Sequence, residues 1–279
     1  RHPDWIKVRM PGGPGYTQTN AIVAALRLNT VCQEAQCPNI GECWGHGTAT
    51  FMLMGDVCTR NCRICAVSHG RMVELDRDEP RRVADAALKM GLSHVVVTSV
   101  NRDDLPDGGA NHFAETVHAI KRLQPDCTIE VLTPDFQGNE DAVSIVAQSP
   151  IDIFNHNTES VPRLYKRVRP GAKYERSLRV LEKVKEVRPN LKTKTGLMLG
   201  LGETYAELLS VFGDLRAVDC NILTLGQYLQ PSQEQLPVER YVHPDEFETL
   251  REEALGLGFR HVESGPLVRS SYHAWKHVE

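Results

Sequence analysis

From residue 50 onward the chain alternates between two spacings of apolar positions. Short runs rich in β-branched residues predict strands: TFMLM (50–54), HVVVTSV (94–100), TIEVLT (128–133), IDIFNHN (151–157), TKTGLMLGL (193–201) and NILTLGQYL (221–229). Longer stretches filled by Ala, Leu, Glu and Lys predict helices near 80–90, 111–123, 139–148, 174–187 and 203–217, with another near 244–256. Alternating strands and helices imply parallel strands with the helices outside. Six such units fall short of the eight that close a full barrel, so the expected fold class is α/β, a partial, open (β/α)6 TIM-like barrel. Polar residues gather where these strands end, at Thr98 and Ser99, Thr133 and Asp135, Asn155 and Asn157, and Gln227. That is the end at which barrel enzymes carry their active sites.

The barrel region is flanked on both sides. RMPGGPGYTQT near the start reads as a loop or extended arm, and Asn20 to Leu28 as a short amphipathic helix. Pro38, Gly41, Gly45 and Gly47 predict irregular backbone around a first group of cysteines. The tail from Gly258, with RHVESGPLVRSSYHA, reads as a loop over the barrel mouth. The expected organisation is an N-terminal extension at 1–49, a barrel at 50–257 and a C-terminal segment at 258–279.

Composition narrows the function classes. A formal net charge of −4 gives no general reason to expect nucleic acid or an anionic membrane as partner. The apolar runs are far shorter than a bilayer span, and no leader with a basic start and apolar centre is visible. Free cysteines imply a reducing compartment. The expectation is a soluble protein of the bacterial cytoplasm, or of an organellar matrix if a transit segment has been removed.

Six of the eight cysteines fall within 34 positions. Cys32, Cys37 and Cys43 are spaced Cx4Cx5C, and Cys58, Cys62 and Cys65 are spaced Cx3Cx2C in CTRNCRIC. A disulfide framework belongs to small secreted domains, and 279 residues with 41% hydrophobic content need no such staples. Structural zinc uses four ligands, commonly as two pairs, and neither triad pairs that way. Three thiolates leave a cubane iron–sulfur cluster one iron short of cysteine ligation, and such an iron is open to chemistry. The Cx3Cx2C spacing resembles that of radical S-adenosylmethionine (SAM) enzymes, where Ile64 would occupy the position that contacts adenine. Cys127 and Cys220 stand alone at the starts of apolar runs and read as inert buried thiols.

Other motifs carry less. GLGET at 200–204 lacks the third glycine of a dinucleotide fingerprint, since Tyr205 takes its place, and reads as a helix start with Glu203 in the first turn. GxSxG, GxxxxGK[ST] and HExxH are absent. RLYKRVRPGAKYER holds six basic residues from Arg163 to Arg176, a solvated face or, through Lys166 and Arg169, a docking patch for an acidic protein. Of the eleven histidines only His273, inside the tail motif, invites a role.

With both triads and RSSYHA (269–274) in view, the chain resembles the lipoyl synthase family over nearly its whole length. Further matching stretches are TSVNRDDLPDGGA (98–110), IEVLTPDFQG (129–138), FNHNTESVPRLYKRVRPGA (154–172), TKTGLMLGLGET (193–204) and LGQYLQPS (225–232). The resemblance implies two 4Fe-4S clusters. Cys58, Cys62 and Cys65 would hold the one that cleaves SAM to methionine and a 5′-deoxyadenosyl radical. Cys32, Cys37 and Cys43, with Ser271 as fourth ligand, would hold an auxiliary cluster that is the sulfur source. The carbons attacked, C6 and C8 of an octanoyl chain on lysine, carry no acidic proton, so a primary carbon radical is needed. Thr98, Ser99, Glu130, Asn155 and Lys194 are the expected SAM contacts, with Glu130 and Asn155 on the ribose hydroxyls and Lys194 on the methionine carboxylate. Arg269 would orient Ser271 or guard the site. Implied partners are an octanoylated lipoyl-carrier domain (2-oxoacid dehydrogenase E2 or glycine cleavage H protein), a low-potential electron donor and an iron–sulfur carrier protein, with neither nucleic acid nor membrane. The alternatives are another radical SAM sulfur inserter, biotin-synthase-like, and, from a different class, a zinc-stabilised binding module.

Overall fold

The computed structural model describes residues 2–8, 10–45 and 49–277. Its strands are β1 (Asn29–Thr30), β2 (Thr50–Leu53), β3 (Val57–Cys58), β4 (Ser68–His69), β5 (His94–Ser99), β6 (Thr128–Leu132), β7 (Ile153–Asn155), β8 (Lys192–Leu199), β9 (Ile222–Gln227) and β10 (His261–Gly265). Eight of them make one sheet in the order β1-β2-β5-β6-β7-β8-β9-β10, parallel throughout except where β1 pairs with β2. Both ends of that order are edges, so the barrel is open, as the count of units predicts.

Helices α1 (Pro14–Ala25), α2 (Val31–Glu34) and α3 (Ile40–Gly45) precede the barrel. Helices α4 (Glu79–Lys89), α5 (Ala110–Leu123), α6 (Glu140–Gln148), α7 (Tyr165–Val168), α8 (Tyr174–Val187), α9 (Tyr205–Ala217) and α10 (Pro244–Gly256) lie between its strands. Side chains alternate across each strand. Val95, Val97, Ile129 and Val131 join one apolar core beneath α4, α5 and α6, while Leu197, Leu199, Leu223 and Leu225 join another beneath α9 and α10. The intervening His94, Glu130, Lys194, His261 and Glu263 therefore face the barrel interior.

The flanks differ from the sequence reading. Helix α1 begins at Pro14, whose ring suits a first helical position, so part of the Gly/Pro stretch is helical. Gly41 and Gly45 lie within α3 rather than in irregular backbone, and Gly47 lies outside the described residues. The tail is not loop from the outset, because His261–Gly265 forms a seventh parallel strand on β9. Its inward face carries His261 and Glu263, so the apolar alternation that reveals the other strands is missing. Glu203 is not in the first turn of α9. Its carboxylate accepts from the Gly200 and Leu201 N–H groups at 2.7 and 2.9 Å, and Thr204 with Glu207 forms the capping box.

Candidate active site

Both cysteine triads open onto one cavity of about 440 Å³ at the C-terminal mouth of the barrel. Its wall includes Ile64, Thr98, Ser99, Asn157, Glu159, Arg169, Arg269 and Ser271. All six triad cysteines are unpaired thiols.

The loop carrying Cys58, Cys62 and Cys65 is pinned to the segments that follow β5, β6, β7 and β9. Cys58 Sγ accepts from the backbone N–H groups of Arg60 (3.4 Å) and Asn101 (3.3 Å) and from Asn101 Nδ2 (3.7 Å). Arg60 Nε and Nη2 donate to Asp103 at 2.7 and 2.9 Å, and Nη2 lies 2.6 Å from Asp135. Burial alone would raise the Asp135 carboxyl, but Arg60 brings it down to about 2. The Arg63 N–H donates to the Val168 carbonyl and its carbonyl accepts from Leu236 N. Burial pushes the Cys65 thiol up to about 11 and raises Cys62, the latter opposed by Arg169.

The other triad is wound on short helices. Thr30 caps α2, and the Cys37 N–H returns to the Cys32 carbonyl at 3.0 Å. Trp44, fully buried, packs with Cys32 and Ala49. Burial with neighbouring thiols lifts Cys32 to about 11 and Cys43 to about 12; at Cys37 the rise is opposed by Arg269. The tail closes over this triad. Asn39 Nδ2 donates to the Leu267 carbonyl (2.7 Å), Tyr272 Oη to Glu42 (3.1 Å) and Ser270 Oγ to Asn157 Oδ1 (2.8 Å). Gly226 makes that approach possible, since a Cβ there would run into the Val268 carbonyl. Ser271 thereby reaches the cavity that the cysteines line.

The expected SAM contacts separate into two groups. Thr98 and Ser99 line the cavity; Thr98 donates to the Leu132 carbonyl, whereas the buried Ser99 hydroxyl has no partner. Glu130, Asn155 and Lys194 are brought together in the barrel interior, all fully buried, and do not line the cavity. Lys194 Nζ donates to both Glu130 oxygens at 2.9 and 2.8 Å, and Asn155 Nδ2 to Oε1 at 2.7 Å. Asn155 Oδ1 has no partner.

Three wall residues, Asn157, Glu159 and Arg169, were missed or misread in the sequence. Asn157 was seen only as a strand-end polar residue. Glu159 sits at φ 67, a backbone state that nothing in its sequence context announces. Arg169 is not part of an exposed docking patch: it is 9% exposed, and its Nη1 donates to the Asn157 carbonyl at 2.8 Å. The rest of that basic run is largely neutralised, by Arg163 on Glu207, Arg167 on Glu239 and Arg176 on Asp135. Arg269, expected at the site, is half-buried beside Cys37 and Glu159, and desolvation lowers its pKa.

Residues 52–215 match the model of the Radical SAM superfamily. The chain is 57% identical over 277 residues to the lipoyl synthase of Rubrobacter xylanophilus, covering 99% of this chain and 86% of that protein. The chain belongs to the lipoyl synthase family. Identity is 56% to the enzyme so named from Caldanaerobacter subterraneus subsp. tengcongensis, covering 98% of this chain and 96% of that one. It is 53% to that of Chloroflexus aggregans, covering 100% and 91%. Among solved structures, methylornithine synthase (PylB) superposes with a TM-score of 0.57 at 14% identity, covering 76% of this chain and 69% of that one. SuiB of Streptococcus suis bound to S-adenosylmethionine gives 0.61 at 12%, covering 82% and 54%. At those identities the structural likeness establishes the fold. Family membership makes the chain a radical SAM enzyme that uses SAM and 4Fe-4S chemistry. Among the described residues no helix is long and apolar enough to cross a membrane.

Proposed function

We propose that this chain inserts two sulfur atoms, at C6 and C8, into an octanoyl group carried on a lysine of a lipoyl-carrier domain. The observation that supports this reading is that two separate thiol triads and Ser271 share one cavity. A single-cluster radical enzyme needs only Cys58, Cys62 and Cys65.

The donor sets fit two clusters. Each triad supplies three soft ligands in a partly dry pocket, and Ser271 is a hard oxygen donor that holds a soft cluster's iron weakly. When bound, the cluster on Cys58, Cys62 and Cys65 supplies the electron that cleaves SAM, and the one on Cys32, Cys37, Cys43 and Ser271 supplies sulfur. The chain's own residues do the rest. Asn101 and Arg60 direct N–H dipoles at Cys58 Sγ, which stabilises charge on that sulfur. Ile64 gives the cavity an apolar wall against a purine, and the unpartnered Ser99 hydroxyl is available to a bound ligand. Arg169 presents a guanidinium beside Cys62, where an amino-acid carboxylate can pair with it. We assign Glu130, Asn155 and Lys194 to a rigid polar floor under the SAM site, with Asn155 Oδ1 open to one further donor.

Each replaced C–H bond consumes one SAM and one electron, so a lipoyl group costs two of each. The carrier is the octanoylated domain of a 2-oxoacid dehydrogenase E2 or a glycine cleavage H protein. A low-potential donor supplies electrons, an iron–sulfur carrier protein restores the consumed cluster, and the setting is the bacterial cytoplasm.

Separating the two triads by mutation tests the assignment. After anaerobic reconstitution Cys58→Ala should hold about half the iron of the parent and cleave no SAM. Ser271→Ala should still cleave SAM with an octanoyl-lysyl peptide present but transfer no sulfur. Full sulfur transfer by Ser271→Ala would contradict its place among the ligands.

A further inference from the structure

Beyond Ser271 the tail turns into the barrel interior, where His261, Glu263 and His277 lie outside the wall of the cavity that the thiols line. A 3-10 turn at Ala274–His277 ends with the His277 carbonyl accepting from Lys192 Nζ at 3.2 Å. His277, only 2% exposed, stacks obliquely on His261, with ring centroids 4.3 Å apart. His261 Nε2 lies 3.4 Å from Glu263 Oε2 without forming a hydrogen bond. One donor atom from each of His261, Glu263 and His277 lies within 4.8 Å of the other two.

Hydrogen bonding leaves this cluster unsatisfied. Both ring nitrogens of His277 and Nε2 of His261 are buried with no partner, as is Nδ1 of His273, which lies 3.9 Å from Glu263 Oε1. Buried polar atoms in that condition are destabilising until water or an ion meets them. Burial, reinforced by Lys194 and the neighbouring His261, His94 and His273, brings the His277 imidazole down to about 2. It is therefore neutral at physiological pH, the form that ligates a metal.

We propose that His261, Glu263 and His277 bind one zinc ion. Two imidazoles, one carboxylate and a water molecule form an established tetrahedral set for zinc, whereas calcium and magnesium favour all-oxygen surroundings. Ligand atoms around such an ion stand roughly 3.3 Å apart, given bonds of about 2.0 Å, so binding draws the present donors inward through small torsional changes. His273, whose Nδ1 lies 3.9 Å from Glu263 Oε1, is a further donor should a fourth protein ligand replace the water.

Zinc at this place ties β10 to the end of the tail and closes a loop around Arg269, Ser270 and Ser271. It would restrain the segment that offers Ser271 to the cavity. That consequence rests on Ser271 being a cluster ligand; the ion site itself does not.

The test uses the reconstituted holoprotein, incubated with one equivalent of zinc chloride and desalted. Metal analysis should return one zinc per chain beside an unchanged iron content. Zinc K-edge absorption should show nitrogen and oxygen neighbours with imidazole scattering and no sulfur shell. Glu263→Gln, nearly isosteric, and His277→Ala should each weaken zinc retention roughly tenfold or more while keeping the iron. A sulfur shell would place the zinc on the cysteines and overturn the proposal. So would a wild-type protein that emerges free of zinc, its cluster then met by water alone, or retention undiminished in both variants.

Discussion

His156 shows how a buried side chain can set acid sensitivity. Its Nδ1 lies 3.0 Å from the Thr133 carbonyl, which can only accept, so Nδ1 carries the proton and Nε2 accepts from Ser177 Oγ. Burial, then Arg169, lowers its pKa to about 4. The unfolded chain binds this proton near pH 6.5 and the folded chain only near 4, so stability is complete above 6.5 and falls as the pH drops through that window. The loss is about 3 kcal/mol by pH 4. Urea midpoints measured at pH 7 and pH 5 should drop more for the parent than for His156→Gln; equal drops would remove His156 as the cause. At this scale the sequence was most informative about which residues meet at one cavity. The cysteines announce themselves through Cx3Cx2C and Cx4Cx5C, and Ser271 through RSSY. Lys194 and Glu130 are expected from the resemblance as separate SAM contacts, and their pairing depends on register across β6, β7 and β8, which no single run specifies.

Between elements, Arg60 fastens the first cysteine loop to the segments that follow β5 and β6. Asp135 is fully buried and is held by Arg60 at 2.6 Å and by Arg176 at 3.2 Å. Replacing Arg60 with Met leaves a buried carboxylate with one partner fewer, at a cost of about 3 kcal/mol. Equilibrium urea unfolding of the cluster-free protein checks this, and a loss within the range of surface pairs, below about 1 kcal/mol, would show that the clamp is not stabilising. Elements were legible where an apolar period survives, as in β5 (HVVVTS) and the amphipathic α4, α5 and α8. They were hidden where function alters the pattern. β10 presents His261 and Glu263 to a polar interior, and α3 forms across a Pro/Gly-rich stretch because Trp44 anchors it. Arg169 was misplaced for a related reason: within a basic run, composition cannot tell the one residue that turns inward.

Across the whole molecule, an open sheet leaves a mouth wide enough for two thiol triads, and segments from opposite ends of the chain close it. Cys58, Cys62 and Cys65 follow β2, Cys32, Cys37 and Cys43 lie along the short helices before it, and the tail bridges the two through Asn39–Leu267, Glu42–Tyr272 and Asn157–Ser270. A radical made at one triad and sulfur held at the other would then share a single cavity. That arrangement is the core of the account, and product mass tests it most directly. The reconstituted protein, with SAM and a low-potential reductant under anaerobic conditions, is given an octanoyl-lysyl peptide that is then weighed. The account predicts a peptide that has gained two sulfur atoms, weighed as the dithiol under the reductant and two hydrogens lighter as the cyclic disulfide once oxidised. An unchanged peptide, from a preparation verified to hold both clusters and to cleave SAM, would contradict it.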